Sequence, residues 1–319
     1  MEIKASTAAD LPQMINLLKE SLGEGLVPKS ETYFDWKHIS NPFGPSKILL
    51  AWEDGKIVGL RAFMRWRWQS GNESVESVRA VDTATDPAYQ GKGIFKKLTL
   101  QAVEECKQEG VGLVFNSPNP ISLQGYLKMG WYITGRMPIY VGPGSMAPVK
   151  FSEKVLERAY NHYDTGMAFA KLSANWQLPF DQLLLHTPIS KGYLKWRYQD
   201  CPVLKYGAII EPGKFGFVFR LKKANRFSEL RICELWTETD TATKAAKKAL
   251  RKLIRETRPA MVSCAPSPLY AQDQKRPLGL FGPFKKGPVT TLRRLALNKL
   301  NNFDQFYQWR PSIGSMELF

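Results

Sequence analysis

The chain has 319 residues, of which 44% are apolar, so it is long enough for one large domain or two of ordinary size. No apolar run approaches the roughly 20 residues of a membrane-spanning helix, the start does not resemble a signal peptide, and four cysteines without a C-x-x-C pair and three histidines indicate neither a disulfide framework nor a zinc site. We therefore expect a soluble, cytoplasmic protein that works without metal, and its net charge of +16, with 28 Lys and Arg against 14 Asp and Glu in residues 151–319, favours anionic partners.

The first 85 residues predict a strand, a helix and a hairpin. A short strand over 2–6 precedes apolar residues at helical spacing over 11–22. Two apolar runs then flank Asp54-Gly55, a dipeptide typical of tight hairpin turns. A further strand is predicted over 77–85.

Helices and strands alternate in the following segment. We predict a helix over 94–108, a buried strand over 111–118, a short helix over 122–129 and a last strand over 131–141. This order predicts an α/β fold with a mixed sheet.

Two glycines lie between the predicted strand and the helix that follows it, in the segment QGKG at 90–93. Because glycine has no Cβ atom, a ligand can approach the N–H groups of the first helical turn, where the helix dipole also favours an anion. Lys92, Lys96 and Lys97 add positive charge. An isolated G-x-G is more often only a tight turn, so both interpretations stay open on this segment alone.

A second segment, NPISLQGYLKMGW at 119–131, follows about 25 residues later. Its spacing places Asn119 at the entrance of a short helix, Ser122 and Tyr126 on one face, and Gly130 at the end. The two segments together resemble the GNAT superfamily of N-acetyltransferases, whose phosphate loop reads Q/R-x-x-G-x-G/A and whose later segment reads roughly N-x-x-A/S-x-x-x-Y-x-x-x-G-F.

The resemblance spans about residues 1–142. Trp131 stands where phenylalanine is common. Phe95 departs from the pattern, because many members have Gly or Ala there; it either crowds the loop or packs beneath it.

The resemblance implies transfer of an acyl group from acetyl-CoA, or another acyl-CoA, to an amine, without a metal. Backbone N–H groups near Ala84 and Thr85 would bind the thioester or pantetheine, and those of the loop would bind the pyrophosphate. The implied cofactor-binding residues are Ala84, Thr85, Gln90, Gly91, Lys92, Gly93, Ile94, Asn119 and Ser122.

Two residues are candidates for proton transfer. A phenol with its ordinary pKa of about 10 stays protonated at neutral pH, so Tyr126 is the candidate acid for the departing thiolate; the alternative is a core aromatic with a hydrogen-bonded hydroxyl. Asp82 is the candidate base for the amine, because burial in its apolar strand would raise its pKa. The alternative for Asp82 is a turn cap or a solvent-facing acid, and Glu31 and Asp35 are weaker candidates.

The second half contains a faded copy of the first. YFDWKHISNP at 33–42 is matched by YLKWRYQDCP at 193–202, and the order continues with WEDGKIVGL and IEPGKFGFV, VRAVDTAT and LRICELWT, and FNSPNP and SCAPSP. Where the first copy has QGKGIF, the second has TDTATKAAKKAL, with no glycine to admit a phosphate.

We therefore predict two GNAT-like domains in tandem: a domain with the acetyl-CoA loop over 1–142, a linker over 143–150, and a degenerate domain over 151–319 with an acceptor or structural role. This arrangement is similar to that of mycothiol synthase, N-myristoyltransferase and the FemABX transferases.

Other segments have two interpretations or a local prediction. Trp66 and Trp68 either pack in the core or line an acceptor cleft. Residues 244–258 predict a basic amphipathic helix, more often a solvated face than a membrane or nucleic-acid surface. We predict an extended loop over 276–288 and a final helix over 291–301.

These observations favour a CoA-dependent N-acyltransferase acting on a small amine, for which the basic half and the resemblance suggest an anionic acceptor such as an amino sugar or nucleotide sugar. One alternative is a FemABX-like aminoacyl-tRNA-dependent transferase, which suits the basic half but needs no intact CoA loop. The other is a non-catalytic nucleic-acid or membrane binding module.

Overall fold

A computed structural model describes residues 1–25, 27–178, 184–223, 227–265, 277–296 and 303–316. The chain forms two compact units. Unit 1 comprises Met1–Gly135 and Val289–Gln305, and unit 2 comprises Arg136–Pro288 and Phe306–Leu318. Within the described ranges, each helix is too short or too polar to cross a membrane.

The elements are numbered along the chain. The helices are α1 (Leu11–Leu22), α2 (Glu31–His38), α3 (Ile94–Gln108), α4 (Pro120–Lys128), α5 (Glu153–His162), α6 (Thr165–Ala170), α7 (Lys191–Leu194), α8 (Asp240–Thr257) and α9 (Ile313–Met316). The strands are β1 (Glu2–Ala5), β2 (Lys47–Glu53), β3 (Lys56–Ser70), β4 (Glu73–Thr85), β5 (Leu113–Asn116), β6 (Tyr132–Arg136), β7 (Ile139–Pro143), β8 (Gly207–Glu211), β9 (Phe215–Lys223), β10 (Ser228–Thr237), β11 (Met261–Cys264), β12 (Phe281–Phe284) and β13 (Val289–Arg294).

Unit 1 is built on a seven-stranded sheet of order β1-β2-β3-β4-β5-β13-β6. The predicted hairpin is confirmed, with Asp54 and Gly55 in the left-handed region between β2 and β3. Helix α3 lies where it was predicted and buries its apolar face against β2 and β3. The sequence prediction missed α2, whose start is capped by the Ser30 hydroxyl accepting from the N–H of Tyr33.

Strands β4 and β5 are parallel but pair over only three residues. Their register runs from Ser77 opposite Leu113 to Arg79 opposite Phe115. Beyond Arg79, β4 continues to Thr85 with β3 as its one strand partner among the described residues. The edge of β4 that faces away from β3 is therefore open over its last residues, close to the start of the loop that leads to α3.

Unit 2 repeats the core of unit 1, which confirms the predicted duplication of an α/β fold. Its sheet has the order β12-β7-β11-β10-β9-β8. Strands β8, β9, β10 and β11 pair antiparallel, antiparallel and parallel, as β2, β3, β4 and β5 do. Helix α8 includes the predicted basic amphipathic helix and packs its apolar face on β9 and β10.

Three local predictions were wrong. The single strand predicted over 131–141 is two strands, of which β6 belongs to the sheet of unit 1 and β7 to that of unit 2. The start of the helix predicted over 291–301 is strand β13, paired with β5; residues 297–301 lie outside the described part of the chain. The loop predicted over 276–288 contains β12, and its first residue also lies outside the described part.

Candidate active site

The loop before α3 presents an open cradle of backbone N–H groups. Gly91 and Gly93 have φ angles of 78° and 75°, and a Cβ atom at either would meet no other atom within 4 Å. The first amide beyond the loop with a backbone partner is that of Lys97, which donates to the Gly93 carbonyl at 3.0 Å. In the described part of the chain, no acceptor is recorded for the N–H groups of residues 91–94.

This loop has the chemistry of an anion-binding site. Gln90, Gly91, Lys92 and Gly93 are exposed, and the glycines leave the approach clear. The 15-residue helix behind the loop contributes the positive end of its dipole. Ile94 fixes the helix start by packing its buried side chain on β3, where a Cβ on Gly59 would lie 2.5 Å from Ile94 Cγ2.

Phe95 packs beneath the loop and does not crowd it. Its ring makes an edge-on contact with Tyr126, with 5.6 Å between ring centroids. Gly125 leaves room for this ring, because a Cβ there would lie 3.1 Å from Phe95 Cε1. Phe95, the residue that departs from the family pattern, therefore connects the start of α3 to α4.

The two residues predicted at the end of β4 face opposite sides of the strand. The N–H of Asp86 donates to the carbonyl of Val58 on β3, and backbone groups alternate along a strand, so Ala84 also faces β3. Thr85 faces the open edge, where its carbonyl accepts from Ser21 Oγ at 3.1 Å. A ligand at this edge can reach the backbone of Thr85, whereas the backbone of Ala84 faces β3. The predicted contacts of both residues with the coenzyme stay predictions.

Asn119 and Ser122 bond to each other at the start of α4. The Asn119 side-chain oxygen accepts from the Ser122 N–H at 2.8 Å and from Ser122 Oγ at 2.9 Å. This is an N-cap, which gives both side chains a role in holding α4. Their contact with the coenzyme stays a prediction.

Tyr126 lies in the core with its hydroxyl against a buried arginine. Its side chain is 4% exposed, and its ring packs edge-on against Trp131 at 5.2 Å. The phenol oxygen accepts a hydrogen bond from Arg61 Nη2 at 2.7 Å. Because a guanidinium has no acceptor, the phenol proton points elsewhere and can be donated.

Asp82 is held by two basic side chains from α2. Lys37 Nζ and His38 Nε2 both bond to its Oδ2, at 2.7 and 2.8 Å. Asp82 is the extra residue of a β-bulge, because Thr83 faces Arg61 and Val81 faces Ala62 with Asp82 between them.

The expectation of a raised pKa at Asp82 is wrong. Burial alone would raise it, but the charge of Lys37 and the hydrogen bond from His38 hold the pKa of Asp82 well below its ordinary value. The pKa of His38 is lowered by its own burial, which outweighs the neighbouring carboxylate, so its imidazole is neutral. Asp82 is therefore an ionised partner in a buried cluster and a weak base.

A small cavity lies beside this cluster, between α1, α2 and β4. Its volume is about 10 Å³, roughly the room that one water molecule needs. Lys29, Lys37 and Asp82 line it, so cations outnumber anions there. Among the described residues, no carboxylate lies within ion-pair distance of the Lys29 ammonium group, and burial lowers its pKa.

The GNAT acetyltransferase domain model matches residues 2–134, the part of the chain that carries this cradle, the open strand edge and Tyr126. Residues 2–134 form a GNAT domain. Over 95 residues, the chain is 28% identical to an L-methionine sulfoximine/L-methionine sulfone acetyltransferase of Salmonella typhimurium. That alignment covers 28% of this chain and 53% of the relative, so the chain matches about half the length of that protein.

Solved GNAT structures share the fold of both units. A GCN5-related N-acetyltransferase from Anabaena variabilis has a TM-score of 0.60 at 14% identity, and a probable N-acyltransferase from Enterococcus faecalis has 0.62 at 12%. Each comparison covers 93% of this chain and 73% of the other. At these identities the likeness concerns the fold, and it shows a tandem arrangement of two mixed α/β units.

The second unit carries an acid in the place that Asp82 has in the GNAT domain. Glu234 aligns with Asp82 in the duplicated strand, and its Oε1 accepts from Tyr193, Tyr198 and Ser312. Burial raises the pKa of Glu234 to about 7, against the opposing effect of these hydroxyls. An acid at this position of the strand, bonded to side chains of its own unit, is thus a feature of both units, including the one without a glycine loop.

The tryptophans Trp66 and Trp68 are core residues. They are 1% and 0% exposed, and both contact the ring of Phe115. Of the two interpretations, the structure therefore supports packing in the core and not the lining of an acceptor cleft. Arg61 is the residue that sequence reasoning missed at the GNAT site. The sequence feature that could have indicated Arg61 is its position as the single charged residue inside the apolar run GLRAFM of β3.

In the part of the chain that the structure describes, no three His, Cys, Asp or Glu side chains lie close enough together to hold a metal ion.

Proposed function

We propose that this protein is a CoA-dependent N-acyltransferase that moves an acetyl or other short acyl group to the amine of a small anionic acceptor, in the cytoplasm. The observation that carries the proposal is the cradle of N–H groups at residues 91–94, which ends directly at the ring of Phe95 against Tyr126. The GNAT family of the first unit supports acetyl transfer.

When bound, acetyl-CoA would supply an activated thioester. The N–H groups of 91–94 would hold its diphosphate, and Lys92 would add charge at the same loop. The backbone of Thr85 would orient the chain of the coenzyme along the open edge of β4. Tyr126 would donate its phenol proton to the leaving sulfur.

The acceptor amine must lose a proton before it attacks. Asp82 is a weak base because its pKa is held low, so we propose that water removes this proton, with the cavity beside Asp82 holding one such molecule. Asp82 then contributes its negative charge to the approach of an ammonium group. We therefore propose Asp82 as the anionic residue that lies nearest the acceptor amine.

The excess of cations around that cavity supports an acceptor with an acidic group. Lys29 lines the cavity without a carboxylate of its own among the described residues, and Lys37 already has Asp82. The substrates named for the Salmonella relative are amino-acid derivatives, which carry an amine and a carboxylate together. Amino acids therefore join amino sugars and nucleotide sugars as the acceptor classes to test.

Calorimetry with acetyl-CoA tests the coenzyme site. Gly93→Asp places a negative charge where the diphosphate would bind, so we expect about a 10- to 100-fold loss of affinity. Gly110→Asp is the matched control. Gly110 also has a positive φ, 79°, and no atom within 4 Å of a Cβ placed on it, but it lies at the other end of α3. No heat from the wild type, or an equal loss in both variants, would refute the site.

Thiol release from acetyl-CoA tests the reaction and the acceptor. We expect amine-dependent release, with acceptors that carry an acidic group preferred over matched amines that lack it. Salt-sensitive RNA binding that persists in Tyr126→Phe, without thiol release for any amine, would instead favour the binding-module alternative.

A further inference from the structure

Arg61 is a buried cation that has no counter-ion in the part of the chain that the structure describes. Its side chain is 1% exposed in the middle of β3. Among the described residues, no carboxylate forms an ion pair with it. A charge in such a place strongly destabilises a fold unless other groups compensate it.

The partners that Arg61 does have are neutral. Its Nη1 donates to Thr83 Oγ1 and approaches the Val81 carbonyl at 3.5 Å, and its Nη2 donates to the Tyr126 hydroxyl. Its Nε has no hydrogen-bond partner within the described ranges. The guanidinium carbon lies 4.7 Å from the ring centroid of Phe63, with the rings of Phe95 and Tyr126 at 5.7 and 5.4 Å.

None of these contacts supplies a negative charge, and the one hydrogen-bond partner that can readily become an anion is the hydroxyl of Tyr126. An arginine needed only to fill space would be replaced at lower cost by an apolar side chain of similar volume. A phenolate at Tyr126 would supply the missing anion at 2.7 Å from Nη2.

We propose that Arg61 is a positioning residue for Tyr126: it turns the phenol proton toward the leaving sulfur and stabilises the phenolate that remains. This rests on the proposed function. As the bond between nitrogen and the acyl carbon forms, the carbon–sulfur bond breaks, and the sulfur leaves with the electron pair and takes the Tyr126 proton. The phenolate regains a proton released from the nitrogen through solvent, so protons and electrons balance.

Arg61→Gln tests the proposal, because it removes the charge but keeps a donor for the phenol. We expect kcat to fall about 100-fold, while KM and the calorimetric affinity for acetyl-CoA change less than about twofold. Arg61→Lys keeps a charge and should retain kcat within about tenfold. Arg79→Gln is the matched control, since Arg79 is also 1% exposed in the same sheet and lies over Phe115.

A double-mutant cycle separates positioning from packing. In the Tyr126→Phe background, Arg61→Gln should lower kcat less than about threefold further, because both changes remove the same step. In the CoA-free protein with 13C-labelled tyrosine, the Tyr126 Cζ resonance, assigned by its loss in Tyr126→Phe, should move in Arg61→Gln and stay in Arg79→Gln.

The outcomes distinguish the two proposals. If Tyr126→Phe keeps its kcat, the acid role of Tyr126 fails and Arg61 fails with it. If Tyr126→Phe is impaired but Arg61→Gln is not, or if the two losses multiply, only the Arg61 proposal is overturned. Should Arg61→Gln not fold, Arg61→Lys decides by the same cycle, because a loss of about 100-fold with charge retained would refute the electrostatic role.

Discussion

Asp82 shows how neighbours reverse the effect of burial on a side chain. It is an acid in an apolar strand, for which desolvation predicts a raised pKa. Two donors from α2, brought to one oxygen by tertiary packing, lower that pKa instead. Glu234 has the same position in unit 2 but is faced by hydroxyls, and its pKa is about 7.

The difference in stability between wild type and Asp82→Asn should depend on pH as expected for a carboxyl with a lowered pKa. Removing the charge leaves Lys37 buried without its partner, so we expect the free energy of unfolding at pH 7 to fall by about 3 kcal/mol. A carboxyl with a depressed pKa stabilises the fold above its unfolded pKa, here 3.8, and this stabilisation is lost only as the pH falls below that value.

Urea unfolding of wild type and Asp82→Asn between pH 3 and pH 8 gives the measurement. The difference between them should not shrink until the pH falls below about 4. A difference that already shrinks between pH 7 and pH 5 would mean that the pKa is raised after all. Glu31→Gln, on the exposed face of α2, serves as control and should change stability by less than about 0.5 kcal/mol.

At the scale of elements, the site depends on where two strands separate and two helices begin. Strand β5 stops pairing with β4 at Arg79, so the last residues of β4 have an open edge. Helix α3 begins beyond two glycines, and α4 begins at the Asn119 cap. Helix α4 then carries Tyr126 to the hydroxyl contact with Arg61.

Asn119 variants separate a capping role from coenzyme binding. Asn119→Ala removes the cap acceptor and should lower the free energy of unfolding by about 1 kcal/mol, whereas Asn119→Asp keeps the acceptor and should not. If capping is the role, KM for acetyl-CoA is the same for Asn119→Asp and wild type. A KM that rises in Asn119→Asp would show that this side chain meets the phosphates, because the new charge would repel them.

At the scale of the molecule, each sheet is completed by a strand from a distant part of the chain. In unit 1, β13 lies between β5 and β6, with Leu292 opposite Phe115 and fully buried. Arg294 binds Asp304, which also accepts from the hydroxyl of Tyr132 on β6. In unit 2, β7 takes the equivalent place beside β11.

A fragment of residues 1–142, the predicted first domain, should therefore not fold alone. It lacks β13, so β5 and β6 lose the strand between them and expose apolar side chains and unpaired backbone groups. Joining residues 289–305 to residue 136 through a short Gly/Ser linker should restore folding, measured by cooperative unfolding and by acetyl-CoA calorimetry. If the fragment of residues 1–142 folds and binds acetyl-CoA as well as the joined version, this assignment of β13 is contradicted.

The elements that could be predicted from the sequence are those that depend on local spacing. The hairpin at Asp54-Gly55, helix α3, the helix around Tyr126 and the glycine loop each carry their signal within about 15 residues, because turn chemistry and apolar periodicity act along the chain. The comparison of YFDWKHISNP with YLKWRYQDCP also exposed the duplication, since both copies kept the residues of one packing arrangement.

Only the tertiary structure decided which charges meet and which strands pair. Residues 291–294 have no local feature that separates a strand from a helix, and pairing with β5 settled it. The ionisation of Asp82 depends on Lys37 and His38, about 45 residues away, and the hydroxyl of Tyr126 meets an arginine 65 residues away. Electrostatic energies depend on distances in space and on burial, neither of which spacing along the chain records.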